Sequence, residues 1–152
     1  MGGEFLPLGF GLDGAVHALA VMSPFVYAGG SFSRAFTPRR PALLSGSFAK
    51  WDTRTREWSA ALLCKPSLPS PFSGTVNALV THAGKILVGG RFGDLARCSV
   101  PRVLHLTSDA GQICGTAVGN IAAVTSDGAF SPIGAGVSGG YILAIASTGY
   151  EM

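Results

Sequence analysis

Charge is scarce in this chain. Asp, Glu, Lys and Arg make up 12% of its 152 residues, and only eight of them are acidic. With 47% hydrophobic residues, that balance excludes a self-repelling disordered chain. The few carboxylates form no pair that the sequence brings together, so no acid–base couple is readable. A Gly-x-x-x-x-Gly-Lys-Ser/Thr phosphate-binding loop is absent as well. Three cysteines make an odd count and no disulfide framework. The longest apolar stretch, 14–32, is interrupted by His17, Ser23, Pro24 and Ser31, and it alternates as strands do rather than as a membrane span does. The opening MGGEFLPLG has no basic segment and carries an early Glu4, so it does not read as a secretory signal, and Leu6 breaks the myristoylation pattern. Neither Asn77 nor Asn120 begins a glycosylation sequon. The compartment stays open on these grounds.

Glycine, by contrast, is plentiful at 22 residues, and nine prolines accompany it without any collagen period. One domain of many short strands and tight turns follows. The glycines carry a repeat. Tyr27-Ala28-Gly29-Gly30-Ser31-Phe32 returns sixty residues later as Leu87-Val88-Gly89-Gly90-Arg91-Phe92. A similar strand precedes each, VHALAV at 16–21 and VNALVT at 76–81, with turns at Ser23-Pro24 and Ala83-Gly84. Alternation puts Val16, Ala18 and Ala20 on one face and His17, Leu19 and Val21 on the other; both sets are mostly apolar, which predicts burial on both faces. Paired glycines suit a place where backbones crowd or a bulge is required.

Strands three and four of the first copy are read at SFAKWDTR (47–54) and EWSAALL (57–63). In the second copy NIAAVTS (120–126) is preferred as the third strand over RVLHLTS (102–108), and AFSPIG (129–134) is the fourth. FLPLGFGLDG (5–14) aligns without gaps on FSPIGAGVSG (130–139), and YILAIAS (141–147) resembles VHALAV with one residue inserted. The chain therefore divides into a fourth strand at 5–14, a four-stranded unit at 15–63, a second at 75–134, and a first strand at 140–147.

Four-stranded units with Gly29-Gly30 after the second strand, then Asp52 and Trp58, resemble kelch and galactose-oxidase-type β-propeller repeats such as those of large fungal and protist surface proteins. In the second copy Val124 and Phe130 stand near the expected Asp and Trp, and the sixty-residue period exceeds the usual kelch repeat of about 50. The resemblance implies an all-β propeller segment of antiparallel blades. Family members close rings of about four to eight blades, so this chain alone would not close one. It is then expected to be part of a larger protein or assembly, partnered by other blades or subunits, and oligomeric or poorly soluble by itself.

In such blades the connections two-to-three and four-to-one share one face. Here those are Ser33–Gly46, Cys64–Ser73 and Gly93–Gly119, and they carry Arg34, Arg39, Arg40, Lys65, Arg97 and Arg102 against Asp94 and Asp109. These six cations are the candidate partner-binding residues. One reading is solvated loops; the other is an anionic partner, either an acidic protein surface or an acidic glycan. Nucleic acid fits poorly, because interleaved aromatics are missing and the net charge is only +3.

Cys64, Cys98, Cys114 and His105 leave open a zinc site, a Cys98–Cys114 disulfide, or three free thiols. His17 and Asn77, at matching positions, would line a channel or bond to a neighbouring blade; Trp51 and Trp58 would stack on sugars or pack between blades. A copper-radical oxidase needs clustered tyrosines and histidines, whereas Tyr27, Tyr141 and Tyr150 are scattered. The sequence thus favours a non-enzymatic scaffold or protein-binding module without a cofactor. A lectin-like binder of acidic glycans and an oxidase remnant are the alternatives.

Overall fold

A computed structural model describes residues 4–37, 40–44, 46–61, 74–92 and 119–148. Ten strands and no helix occur among them. The first sheet joins β1 (Ala15–Met22), β2 (Phe25–Ser31), β5 (Phe48–Asp52) and β6 (Glu57–Ala60) in the order β1-β2-β5-β6. The second joins β7 (Gly74–His82), β8 (Lys85–Phe92), β9 (Ile121–Val124) and β10 (Phe130–Pro132), also in chain order. All pairings are antiparallel. The preferred third strand of the second copy is therefore present as β9; residues 102–108 lie outside the described residues.

One expected loop is partly a hairpin. Within Ser33–Gly46, β3 (Arg34–Thr37) pairs with β4 (Arg40–Leu44) as a separate two-stranded sheet. Arg34-Ala35-Phe36-Thr37 is only four residues long and does not alternate in burial, too short a run to stand out beside Pro38 and Pro41.

The two large sheets repeat each other closely. Both first strands carry a register shift, between Val16 and Ala18 and between Val76 and Ala78, which leaves His17 and Asn77 as the unpaired extra residues. Across each bulge lies the second glycine of the pair. A Cβ on Gly30 would run into the carbonyl of Ala15, and one on Gly90 into that of Thr75. Before each third strand the backbone turns left-handed twice, at Gly46 and Ser47 (φ 46° and 63°) and at Gly119 and Asn120 (φ 49° and 65°). The amides of Gly30 and Gly90 donate to the carbonyls of Ser47 and Asn120 at 3.0 and 3.1 Å. Ala83 and Gly84 (φ 47° and 69°) give the β7–β8 turn the doubly left-handed form that matches strand twist.

The sheets stack face to face. One core joins Ala20, Tyr27 and Phe48 of the first sheet, and Ala61 just after it, to Val76, Ile86, Val88, Phe92, Ala122 and Val124 of the second. Burial of Val76, Ile86, Val88 and Val124 is worth about 1.5–3 kcal/mol each. The far face of the first sheet holds a second cluster of Ala28, Phe32, Ala35, Ala49, Trp51 and Trp58.

The segments expected as terminal strands are not strands of either sheet. Residues 5–14 make one bridge, Leu12 to Ala35, and cross the face holding Trp51 and Trp58, where Trp58 Nε1 donates to the Leu8 carbonyl at 2.8 Å. Residues 140–147 cross the outer face of the second sheet, where Ile142 and Ile145 lie against Gly89. A ladder needs a neighbouring edge in register, and both segments lie on faces. Their alignment still shows in matching turns: Gly11 N donates to Leu8 O at 3.2 Å, and Gly136 N to Ile133 O at 3.0 Å.

Burial on both faces, expected for β1, is not found: Val16, Leu19 and Val21 are exposed. The bulge at His17 also breaks the simple alternation and places Val16 on the face of Leu19 and Val21.

Gly90→Ala is expected to cost about 2 kcal/mol or more, since its methyl meets backbone that cannot yield. Gly140→Ala, with open space around its Cβ, is expected to stay within about 0.5 kcal/mol of the parent. Urea denaturation of the two variants checks this.

Candidate functional site

Strand alternation places Ser31, Ala60, Gly74, Phe92 and Ile121 at one end of the stack, the end from which the connections at 32–46, 61–73 and 93–118 depart. Of the six candidate cations, Arg34 is exposed at the first position of β3 and Arg40 begins β4. Arg34 pairs with Leu44 and Arg40 with Thr37, so the two sit at opposite ends of the hairpin and not side by side. Arg39, Lys65, Arg97 and Arg102 lie outside the described residues, as do Cys64, Cys98, Cys114 and His105.

Asp13, which the sequence reading passed over, organises this end. Its carboxylate accepts from Ser33 N and Ser33 Oγ, both at 2.7 Å, and from Arg34 N at 2.8 Å. Those bonds, the one from the Arg34 amide first and the Ser33 hydroxyl next, hold its pKa below the ordinary carboxylate value. The signal was an aspartate directly before a glycine at the entry to a strand, a common loop-clamping arrangement.

Among the described residues the most developed surface is the one where the sheets meet. The first glycine of each pair receives an apolar ridge. A Cβ on Gly29 would overlap Val76 and crowd Leu79 of the second sheet; one on Gly89 would overlap Ile142 and Ile145. Polar ties flank the ridges. Ser47 Oγ donates to Gly74 O, and Asn120 Nδ2 to Gly140 O at 2.8 Å. Thr81 Oγ1 donates to Val21 O at 2.9 Å, and His82 Nδ1 meets Ser147 Oγ at 2.7 Å. Residues 74–82 on the first sheet and 140–148 on the second thus occupy equivalent seats, although only the former are a strand.

The matching polar residues behave differently. Asn77 Nδ2 donates to Ile142 O at 2.8 Å, a bond to the next layer, whereas exposed His17 meets Ser31 Oγ of its own sheet at 3.4 Å. Trp51 and Trp58 form a T-shaped pair, 5.4 Å between centroids, buried beneath Gly9, and so offer no open stacking platform.

At the opposite end Lys50 reaches from the first sheet to the second. Its Nζ donates to Ser126 O at 3.2 Å and lies 4.6 Å from the centre of the Phe25 ring. Burial lowers its pKa, with Asp127 and Asp52 opposing. Beside it Tyr27, fully buried and stacked on Phe48 at 5.8 Å, has a hydroxyl without a hydrogen-bond partner among the described residues. Burial foremost, and Asp127 secondarily, raise its pKa. Among the described residues no group of His, Cys, Asp and Glu is placed to hold a metal, and no helix is long and apolar enough to cross a membrane.

No protein-family model matches the chain, and no curated protein resembles it in sequence.

Two measurements test these assignments. Tyr27→Phe removes an unsatisfied buried hydroxyl and is expected to raise stability by about 1 kcal/mol in urea titration. Asp13, with its folded pKa lowered, contributes stability that is complete above the unfolded-state value and is lost as pH falls through the folded value. Asp13→Asn is therefore expected to lower stability at neutral pH and to flatten the acid limb of a thermal-stability profile; an unchanged limb would remove Asp13 from this role.

Proposed function

We propose that the chain is a non-enzymatic β-propeller scaffold or protein-binding module, its sheets serving as blades of kelch or galactose-oxidase type and its partners being other blades or subunits. The observation that carries this reading is the repeated seat: an apolar ridge from one layer entering the gap left by the first glycine of the layer before, made once by β7 and once by 140–148. A face built twice to receive another layer is suited to assembly. Radial repetition of four-stranded sheets is the arrangement in which such a contact recurs indefinitely. Arg34 and Arg40 stand at opposite ends of their hairpin, so no observation among the described residues favours the anion-binding, glycan-directed alternative.

Both tryptophans lie in the first sheet, so their fluorescence reports that layer while far-UV circular dichroism reports both. The parent chain is expected to show coincident denaturation curves by the two probes. Gly29→Val is expected to cost about 2–3 kcal/mol and to separate them. Curves that never coincide in the parent would overturn the stacked-layer reading. Substrate turnover that disappears with a substitution in this chain would overturn the non-enzymatic one.

A further inference from the structure

Among the described residues the ridge occurs three times, and two copies are seated. Val76 and Leu79 rest on Gly29, and Ile142 and Ile145 rest on Gly89. The equivalent residues of β1 are Val16 and Leu19, which share the register of Val76 and Leu79: Val16 pairs with Gly30 and Leu19 with Ala28, as Val76 pairs with Gly90 and Leu79 with Val88. Val76 is 0% exposed, yet Val16 is 44% and Leu19 61% exposed, and the adjoining Val21, equivalent to Thr81, is 64% exposed. The first ridge is built like the others and stands open.

Its complement is carried by the same chain. The outer face of the second sheet around Gly89 is the counterpart of the face around Gly29, and residues 140–148 already occupy it. Bonds that tie that segment down include Ile142 N to Gly90 O at 2.9 Å, Asn77 Nδ2 to Ile142 O, Asn120 Nδ2 to Gly140 O, and the His82–Ser147 contact. It belongs to no sheet.

We propose that the exposed ridge Val16, Leu19 and Val21 docks on the Gly89 face of a second copy of this chain, and that residues 140–148 act as an internal cap competing for that face. The inference rests on the stacked-layer reading and deepens it by naming the partner. The contact is head-to-tail, because ridge and seat are different surfaces, so it propagates from copy to copy until a ring closes or a cap remains in place. The cap is favoured by its tether, which presents it at an effective concentration on the order of millimolar. Copies compete only as their own concentration rises or as the cap weakens.

Sedimentation equilibrium on the full chain and three variants tests this. The parent is expected to associate weakly and in proportion to concentration. Ile142→Asp with Ile145→Asp, which unseats the cap, is expected to tighten association at least about tenfold. Adding Leu19→Asp and Val21→Asp to that variant is expected to return it to a monomer, and the same ridge pair alone is expected to make the parent monomeric. Should the aspartate cap variant lose its β-sheet dichroism, Ile142→Ala with Ile145→Ala replaces it, with the same direction expected. Association that is unchanged by the ridge substitutions, or not tightened by unseating the cap, would overturn the proposal. Either result, obtained with coincident denaturation curves in the parent, would sink this inference alone and leave the stacked layers standing.

Discussion

Everything in this molecule depends on the missing Cβ atoms of two glycine pairs. Within each pair the two residues point to opposite faces, and each omission admits something different. The second glycine lets the bulged first strand bring its own backbone within hydrogen-bonding range. The first glycine lets the next layer sink its ridge into the sheet. A single methyl at either place collides with atoms fixed by covalent geometry or by a packed core, so the costs cannot be relaxed away. One dipeptide thereby sets both the local register and the distance between layers.

Much of this architecture was legible in the sequence because it is repetitive. Two weak strand signals sixty residues apart reinforce each other, and the alignment of 5–14 on 130–139 proved to be a shared turn at Leu8–Gly11 and Ile133–Gly136. The choice of 120–126 over 102–108 followed from spacing and corresponds to β9. The β3–β4 hairpin was not legible, since four residues followed by two prolines carry too little pattern. The exposure of β1 was hidden for another reason. Its residues are as apolar as those of a strand covered on both faces, and composition alone does not say which cover is present in a given molecule.

The candidate site was less readable than the fold. The sequence drew attention to cations in long connections, and of these Arg34 and Arg40 are held apart by the hairpin that contains them. The residue that secures that end is an acid, Asp13, two of whose three bonds come from the Ser33 and Arg34 amides, groups that any sequence could supply, and the third from the Ser33 hydroxyl. Periodicity finds ridges and cores; it does not find a carboxylate whose partners are backbone amides twenty residues away. The ridge-and-seat surface was visible only as a glycine pair until the next layer's side chains were placed against it.

The left-handed pairs Gly46-Ser47 and Gly119-Asn120 bear on how such a chain can diversify. Both deliver the backbone to the third strand with the same kink and the same bond to the second glycine, although the connection ahead of them is far longer in the second sheet than in the first. The strand resets its own phase on arrival and does not inherit it from what came before. Insertion length is thereby uncoupled from sheet geometry, so that connection is free to grow, shrink or be replaced while the layer beneath it keeps its register.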